Sequence, residues 1–153
     1  MENIILRKAG LEDLAILRHF EQKIVETERP FDKTLGPPGI QYHDMEAMLV
    51  SRDALMIVAE NKGEVIASGY VRIEKSERYH NHETHGYLGS MYVMPEYRGK
   101  GLVQLILDEL IDWAKEKGTT VFRLEVYNDN ENAIKAYEKF GFTRSLIQMR
   151  KIL

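Results

Sequence analysis

Residues 92–103, YVMPEYRGKGLV, connect an apolar, strand-like run to the most regular helical pattern in the chain. Gly99 and Gly101 alternate with two cations, Arg98 and Lys100, immediately before that helix. The N-terminus of a helix carries unpaired N–H groups and a partial positive charge, and glycines allow the backbone to approach an anion closely. The order of strand, glycine loop and helix therefore predicts a binding site for phosphate or pyrophosphate.

A glycine loop of this kind also has a simpler interpretation, a turn whose cations are merely solvated. The loop is not a Walker motif, because Gly99 and Lys100 are followed by glycine and not by serine or threonine. It also lacks the three spaced glycines of the Rossmann fingerprint. The loop by itself therefore leaves the phosphate site and the plain turn both open.

Apolar periodicity predicts the elements on either side of this loop. We predict strands at residues 3–7, 54–60, 64–73, 87–94, 121–127 and 142–153, and helices at residues 11–28, 41–52, 101–117 and 129–140. Asn128 and Glu131 are spaced as a capping box for the last helix. This order predicts an α/β fold, with a mixed sheet and helices on both of its faces.

Length and composition narrow the class of protein. A chain of 153 residues favours one domain, residues 1–153, with a sizeable core. The net charge of −3 argues against a nucleic-acid partner, because phosphate neutralisation normally needs a basic surface. The absence of cysteine excludes disulfides, thiolate metal sites and a cysteine nucleophile. Without a secretory signal pattern or a long apolar run, we expect a cytoplasmic protein with no membrane partner.

The glycine loop also matches a family signature. It resembles Arg/Gln-x-x-Gly-x-Gly/Ala, the acetyl-CoA signature of the Gcn5-related N-acetyltransferase (GNAT) family, at Arg98, Gly101 and Val103. Val103 departs from the pattern, because the family usually has a small residue there. The change keeps the backbone amide, so phosphate binding need not be lost.

A second block lies downstream, LEVYNDNENAIKAYEKFGF at residues 124–142. It resembles the family pattern Asn-x-x-Ala-x-x-x-Tyr-x-x-x-Gly-Phe at Asn130, Ala133, Tyr137, Gly141 and Phe142. Two blocks at this separation are far more specific than either alone. The predicted element order also resembles that of the family over essentially the whole chain.

The resemblance implies an α/β (α+β) fold whose central sheet is mixed and mostly antiparallel, with splayed middle strands. It implies acetyl-CoA as the co-substrate and no metal. Backbone amides of residues 98–103 would hold the pyrophosphate, the strand edge at residues 91–93 would pair with the pantetheine arm, and an amide near Val93 would polarise the acetyl carbonyl. The cofactor-binding residues implied in this way are Met91, Tyr92, Val93, Arg98, Gly99, Lys100, Gly101, Leu102, Val103, Asn130, Ala133 and Tyr137.

Acetyl transfer to an amine poses two proton problems, because an alkylammonium must lose a proton and the leaving thiolate gains one. Tyr137 is the acid candidate, since it shares a helix face with Asn130 and Ala133, along which the cofactor would lie. Its alternative role is a ring packed in the core. Glu125 is the base candidate, because some family members use a glutamate at the matching position. Its alternative role is a structural carboxylate paired with arginine or lysine.

The loop after the first helix commonly lines the acceptor pocket in this family. Glu28 and Asp32 can attract a cationic amine, and Phe31 can form an apolar wall beside Arg29. A rigid connecting loop with exposed charges would have the same sequence. Both interpretations of these residues stay open.

A second loop is rich in histidine, with His80, His82 and His85. His-x-His spacing can bind zinc. The chain supplies no cysteine and no regular helical pairing of these side chains, so we expect a solvated loop and no metal.

Taken together, the sequence predicts a transferase that moves an acetyl group from acetyl-CoA to a primary amine of a small molecule or peptide, by direct attack in a ternary complex. One alternative is a CoA-binding sensor or an inactive GNAT-like domain. Another is a phosphate-binding module unrelated to CoA. The resemblance also implies a homodimer.

Overall fold

The computed structural model describes residues 3–153, which form a twisted sheet between two layers of helices. The strands are β1 (Ile4–Lys8), β2 (Ala54–Asn61), β3 (Glu64–Lys75), β4 (Thr84–Val93) and β5 (Phe122–Arg123). The helices are α1 (Leu14–Glu28), α2 (Met45–Val50), α3 (Leu102–Glu116) and α4 (Glu131–Lys139). Single 3-10 turns precede α1 at Leu11–Asp13 and follow β4 at Pro95–Tyr97.

The sheet has the strand order β1-β2-β3-β4-β5. Each neighbouring pair from β1 to β4 is antiparallel, whereas β4 and β5 are parallel. The parallel pair is short, because only Gly86 and Tyr87 have partners, in Phe122 and Arg123, before the two strands part. The predicted mixed, mostly antiparallel sheet with splayed middle strands is therefore confirmed.

Helices cover both faces of the sheet, as predicted. On one face, α3 buries a stripe that includes Leu102, Ile106 and Leu110, all at most 2% exposed. On the other face, α1 and α2 bury Leu17 and Met45 against β2 and β3. We call these two layers the α3-side core and the α1-side core. The apolar periods of 3.6 in the helices and 2 in the strands produce both layers.

Strand β4 contains a bulge beside its partner β3. Ser68 pairs with Tyr92 and Tyr70 pairs with Gly89, so Gly69 alone faces two residues, Ser90 and Met91. Ser90 has a φ of 49°, in the left-handed region that non-glycine residues rarely adopt. Bulges of this kind bend a strand and disrupt its ladder locally. The bend lies at the point where β4 has already left β5.

Three local predictions were wrong at the C-terminal side. The strand predicted at residues 142–153 is absent, because no strand of the described chain pairs with that segment. The strand predicted at residues 121–127 is reduced to β5 for the same reason. The N-cap of α4 is Asn130, whose side chain accepts a hydrogen bond from the Ala133 amide, and not Asn128. The two predicted strands have the expected side-chain pattern but lack a neighbouring strand to pair with over most of their length among the described residues, and the helix cap lies two residues later than predicted.

Candidate active site

The glycine loop reaches α3 through two residues with left-handed backbone. Gly99 has a φ of 75° and Gly101, the N-cap of α3, a φ of 82°. A Cβ on either glycine would meet open space, so the backbone angle and not crowding requires glycine. Among the described residues, the amides of Gly99, Lys100 and Gly101 donate no hydrogen bond to the chain itself. The loop and the first turn of α3 therefore present a cluster of free N–H groups.

The two cations of the loop are held differently. Arg98 Nε donates a hydrogen bond of 2.8 Å to the Val93 carbonyl, and its guanidinium lies 5.6 Å from the centre of the Tyr92 ring. Lys100 Nζ lies over the ring of Tyr97, also at 5.6 Å. Arg98 thus ties the loop to the end of β4. Its charge stays beside the free amides.

Val103 lies in the first turn of α3 and packs, partly buried, against the α3-side core. Its side chain is therefore committed to packing. A first-turn amide has no acceptor within its own helix. The bulky residue fills core space and leaves the backbone donor at this position available.

Strand β4 offers a free edge between its bulge and the glycine loop. Its pairing with β5 stops at Tyr87, so residues 88–93 have no ladder partner on that side within the part of the chain that the structure describes. Met91 turns into the α3-side core, where its sulfur packs over Gly69. A free strand edge can hydrogen-bond an extended ligand as an added strand. This edge leads directly into the free amides of the loop.

Three side chains of α4 and its N-terminus were predicted to face the cofactor. The Asn130 side chain accepts a 3.3 Å hydrogen bond from the Ala133 amide, which leaves its NH₂ group free to donate. The Tyr137 ring meets the Phe142 ring edge to face, with centroids 5.9 Å apart. Burial first, and then the negative charge of Glu28, raises the pKa of Tyr137. Tyr137 is thus a neutral O–H donor near Glu28 at the C-terminal end of α1.

Glu125 lies just beyond β5 and is exposed to solvent. It accepts a 3.2 Å hydrogen bond from the Tyr87 hydroxyl of β4. The side chains thus bridge the gap that opens when β4 and β5 part. Among the described residues, Glu125 pairs with no arginine or lysine.

Asp32 is the most heavily bonded carboxylate of the predicted acceptor loop. It accepts hydrogen bonds from Tyr127 Oη at 2.7 Å, Arg150 Nη1 at 2.8 Å and Thr34 Oγ1 at 2.6 Å. The hydrogen bonds of Thr34, Tyr127 and Arg150 hold the pKa of Asp32 well below its usual range. Because its charge is already balanced by Arg150, Asp32 acts as a hub that joins the loop to the C-terminal segment.

The other residues of this loop are less constrained. Burial raises the pKa of Glu28, the Tyr42 hydroxyl lowers it by less, and the charge of Asp32 raises it further. Phe31 stacks on Tyr127 with ring centroids 6.1 Å apart. Arg29 Nη1 donates to the Gly36 carbonyl at 2.8 Å, whereas Arg29 Nη2 is buried with no partner among the described residues. The loop therefore combines a desolvated carboxylate, an aromatic wall and an unused donor.

The structure adds a feature that the sequence did not reveal, a chain of three hydrogen-bonded polar groups, of which Glu21 and Tyr70 are buried and His43 is half-buried. Glu21 Oε2 lies 2.9 Å from His43 Nδ1, and His43 Nε2 lies 2.8 Å from Tyr70 Oη. Glu21 and Tyr70 are 2% and 0% exposed. One signal was visible in the sequence, because Glu21 falls on the same helical stripe as the apolar residues of α1.

The histidine loop forms no metal centre in the part of the chain that the structure describes. His85 is buried between Ser76 Oγ at 3.0 Å and Glu74 Oε1 at 3.2 Å. His80 lies 3.0 Å from Glu77. The histidines therefore have separate protein partners.

A groove of about 620 Å³ runs between α1 and the end of β4. Its walls include His19 and Lys23 on α1, and Tyr92 and Arg98 on the other side. The concave surface beside the glycine loop thus carries aromatic and charged side chains.

Within residues 3–153, no helix is long and apolar enough to cross a membrane.

A model of the acetyltransferase (GNAT) family matches residues 13–142, which contain the free strand edge, the glycine loop and α4. The chain belongs to the GNAT family. The family resemblance predicted from the two sequence blocks is therefore confirmed.

Among curated relatives, the chain is 44% identical over 57 residues to an uncharacterized N-acetyltransferase of Bacillus subtilis. The matched segment is 37% of this chain and 36% of that protein. It is 40% identical over 55 residues to the thialysine N-epsilon-acetyltransferase of Sus scrofa, which covers 36% of this chain and 32% of that enzyme. The chain thus matches only about a third of the length of these relatives.

Solved structures show the same fold over nearly the whole chain. A predicted acetyltransferase of Clostridium acetobutylicum, crystallised with acetyl-CoA, has a TM-score of 0.74 at 20% identity and covers 96% of each chain. A mutant protein of Bacillus halodurans has a TM-score of 0.83 at 17% identity, over 97% of this chain and 99% of that one. At these identities the likeness concerns the fold.

Proposed function

We propose that this GNAT protein is an acetyl-CoA-dependent N-acetyltransferase that acts on a primary amine of a small molecule or peptide. One observation carries the proposal: the free edge of β4 runs into the unpaired amides of the glycine loop. An extended arm that ends in a pyrophosphate fits this combination of donors. The residues present therefore suit the cofactor.

The proposed cofactor site uses the backbone more than side chains. Amides of residues 98–103 would bind the pyrophosphate, and residues 91–93 of β4 would pair with the pantetheine arm. Arg98 keeps the loop against the end of β4 and adds positive charge. Acetyl-CoA would supply the activated thioester, whose carbonyl the bulged end of β4 can polarise through a backbone amide.

Tyr137 is the proposed acid for the leaving thiolate. Its raised pKa keeps the hydroxyl protonated at neutral pH, which is the form that an acid needs. Glu125 is the proposed base at the solvent side of the gap between β4 and β5. Its exposed carboxylate can take a proton from an ammonium group directly or through water.

The acceptor loop supports a class of acceptor. Glu28 offers a desolvated carboxylate to an amine, and Phe31 offers an apolar wall. We therefore propose that this loop favours a cationic amine with an apolar portion. The proposed location remains the cytoplasm.

We also propose that the protein is a homodimer, as the resemblance implies. The C-terminal segment supports this proposal, because Leu146 and Met149 are 95% and 89% exposed. Apolar side chains in an extended, unpaired segment favour association. The continuation of β5 at residues 124–127 also lacks a ladder partner among the described residues, so the same segment of a second copy can pair there.

Release of CoA from acetyl-CoA, measured with a panel of amines, tests the proposed activity. The panel should contain polyamines, amino sugars, amino acids and peptide N-termini. We expect turnover with at least one amine of the panel. Calorimetric binding of acetyl-CoA without turnover would instead indicate the sensor, and binding of ATP but not of CoA would indicate an unrelated phosphate module.

A further inference from the structure

Arg72 of β3 places its guanidinium over the rings of two tyrosines. Its Cζ atom lies 5.6 Å from the centre of the Tyr70 ring and 5.2 Å from that of Tyr87, its cross-strand partner on β4. The Arg72 side chain is 36% exposed, so a ligand can reach it, whereas Tyr70 beneath it is fully buried. A guanidinium that lies over aromatic rings keeps its N–H edge free to bind.

A chain of hydrogen bonds orients this guanidinium from one side. Arg72 Nε donates to Glu74 Oε2 at 3.0 Å. The other oxygen of Glu74 lies 3.2 Å from His85 Nε2, and His85 Nδ1 lies 3.0 Å from Ser76 Oγ. His85 and Ser76 are buried, so the chain holds Glu74 from inside the fold. Among the described residues, Nη1 and Nη2 of Arg72 have no hydrogen-bond partner, so the planar fork is fixed and its two terminal nitrogens are available.

The guanidinium and the proposed base lie at two parts of the same tyrosine side chain. The Tyr87 hydroxyl donates to Glu125 Oε1 at 3.2 Å, while Arg72 lies over the Tyr87 ring. Glu125 is exposed to solvent, and Arg72 is accessible as well. A ligand whose ammonium group approaches Glu125 can therefore place a second polar group at Arg72 by reaching along one tyrosine.

The charges around the two tyrosines favour a ligand that carries both signs. The charged groups that act most strongly on Tyr70 include three carboxylates, Glu21 from α1, Glu74 from β3 and Glu125 from beyond β5. Arg72 is the one cation in that group of described side chains. An ammonium group is attracted to the exposed carboxylate, and a carboxylate on the same ligand has Arg72 as its partner.

We propose that Arg72 binds a carboxylate group of the acceptor, so that the preferred substrate is an amine that also carries a carboxylate, an inference that rests on the proposed acetyltransferase function. Nη1 and Nη2 donate to the two carboxylate oxygens in the bidentate geometry that suits a guanidinium. The amine end of the same molecule lies towards Glu125, which takes its proton. Arg72 thus determines specificity and takes no part in the transfer of the acetyl group.

The first test compares acceptors that differ in the carboxylate, an amino acid and its carboxamide. The ratio of their kcat/KM values is measured in wild type, Arg72→Gln and Arg18→Gln, and its change between proteins cancels the difference in amine pKa. We expect the ratio to fall about 10- to 100-fold in Arg72→Gln, mainly through the KM of the acid. Arg18 is a half-exposed arginine of α1 that pairs with Glu46 at 3.0 Å, and Arg18→Gln should leave the ratio unchanged.

The carboxylate site also has a test that needs no turnover. Nitrogen-15 NMR reports the guanidinium signals of Arg72, which are identified by their loss in Arg72→Gln. The probes are N-acetylglycine, which carries the carboxylate, and N-acetylglycinamide, which does not. We expect the Arg72 signals to shift with the acid and not with the amide. Equal shifts with both probes, or no shift with either, would overturn the assignment.

The outcomes separate the carboxylate site from the function on which it rests. An active wild type whose ratio of acid to carboxamide is unchanged in Arg72→Gln overturns the carboxylate site alone. Equal losses on both acceptors indicate that Arg72 supports the fold, and they also overturn the site. A wild type that acetylates no amine of the panel overturns the proposed function, whatever the NMR result.

Discussion

The Tyr87 hydroxyl donates a hydrogen bond to Glu125 Oε1 at 3.2 Å, across the gap where β4 and β5 stop pairing. Burial and the charge of Glu125 raise the pKa of Tyr87 above its ordinary value. Tyr87 thus remains a neutral donor over the whole physiological range. The bond fixes the Glu125 carboxylate at the mouth of the gap, although the carboxylate itself is exposed.

If Glu125 is the base, Glu125→Gln should lower kcat by about 10- to 100-fold at neutral pH, because the amide cannot take a proton. Tyr87→Phe keeps the carboxylate and should lower kcat by less. Steady-state kinetics of both variants on the same amine give the comparison. If both variants lose the same activity, the hydrogen bond between Tyr87 and Glu125 is required for turnover and Glu125 is not the base.

If Tyr137 is the acid, Tyr137→Phe should lower kcat by about 100-fold and leave the Kd for acetyl-CoA nearly unchanged, because the phenol would then act on the leaving thiolate and not on the bound ground state. Calorimetry gives the Kd, and CoA release gives kcat. An amine acceptor should be used at saturation in both proteins. Unchanged turnover would leave Tyr137 with its alternative role, a packed ring against Phe142.

Two substitutions at the glycine loop, Gly101→Ala and Val103→Ala, should destabilise the fold by similar amounts but differ in their effect on CoA binding. Gly101→Ala places a side chain at a φ of 82°, which costs about 1–2 kcal/mol. Val103→Ala removes partly buried methyl groups and should cost about 1 kcal/mol. We expect Gly101→Ala to weaken CoA binding by about tenfold or more, equivalent to about 1.4 kcal/mol. Val103→Ala should leave the Kd unchanged, as measured by calorimetry alongside thermal unfolding.

The ion pair of Glu77 with Arg123 predicts a specific acid sensitivity. The hydrogen bond of Arg123 lowers the pKa of Glu77 from 4.5 to about 2. A carboxylate with a depressed pKa in the folded state stabilises the fold above its unfolded pKa and loses that contribution as the pH falls. Glu77→Gln should therefore reduce the loss of stability between pH 4.5 and about 2. Denaturant unfolding at several pH values measures it, with Glu109→Gln as a control on the exposed side of α3.

The proposed dimer depends on the C-terminal segment. The double change Leu146→Asp and Ile147→Asp puts charge where apolar side chains are exposed, and it should convert a dimer to a monomer in sedimentation velocity. Val50→Asp changes an apolar residue that is also exposed, 68% in the structure, and should remain dimeric. A monomeric wild type across the concentration range would contradict the dimer.

The sequence predicted the fold where the signal was local. Helix α3 follows from its apolar stripe and from Gly118, which ends it in left-handed backbone with a φ of 89°. Strands β2 and β3 follow from the turn at Lys62 and Gly63. The last strand failed because a ladder needs a partner, and a pattern of alternating side chains does not specify one.

The same distinction between local and tertiary features applies to the candidate site. The glycine loop and its free amides follow from Arg98 to Gly101, because glycine spacing encodes backbone geometry locally. The network of Glu21, His43 and Tyr70 did not, because its members lie on α1, the α1–α2 connection and β3. Only the tertiary arrangement brings them within hydrogen-bonding distance.

The bulge at Ser90 changes which face of the sheet the odd-numbered and even-numbered side chains of β4 point to. Before it, odd-numbered positions such as Tyr87 and Gly89 face the α1-side core, and after it the even-numbered Tyr92 does, with its ring centroid 4.6 Å from that of Phe20. A strand shortened by this one residue would exchange its two faces beyond Gly89. Met91 would then enter the groove and Tyr92 the opposite core. Deletion of one codon here would therefore exchange the side chains that line the groove with those that pack in the α3-side core. The length of β4 is thus constrained more tightly than the identity of its residues.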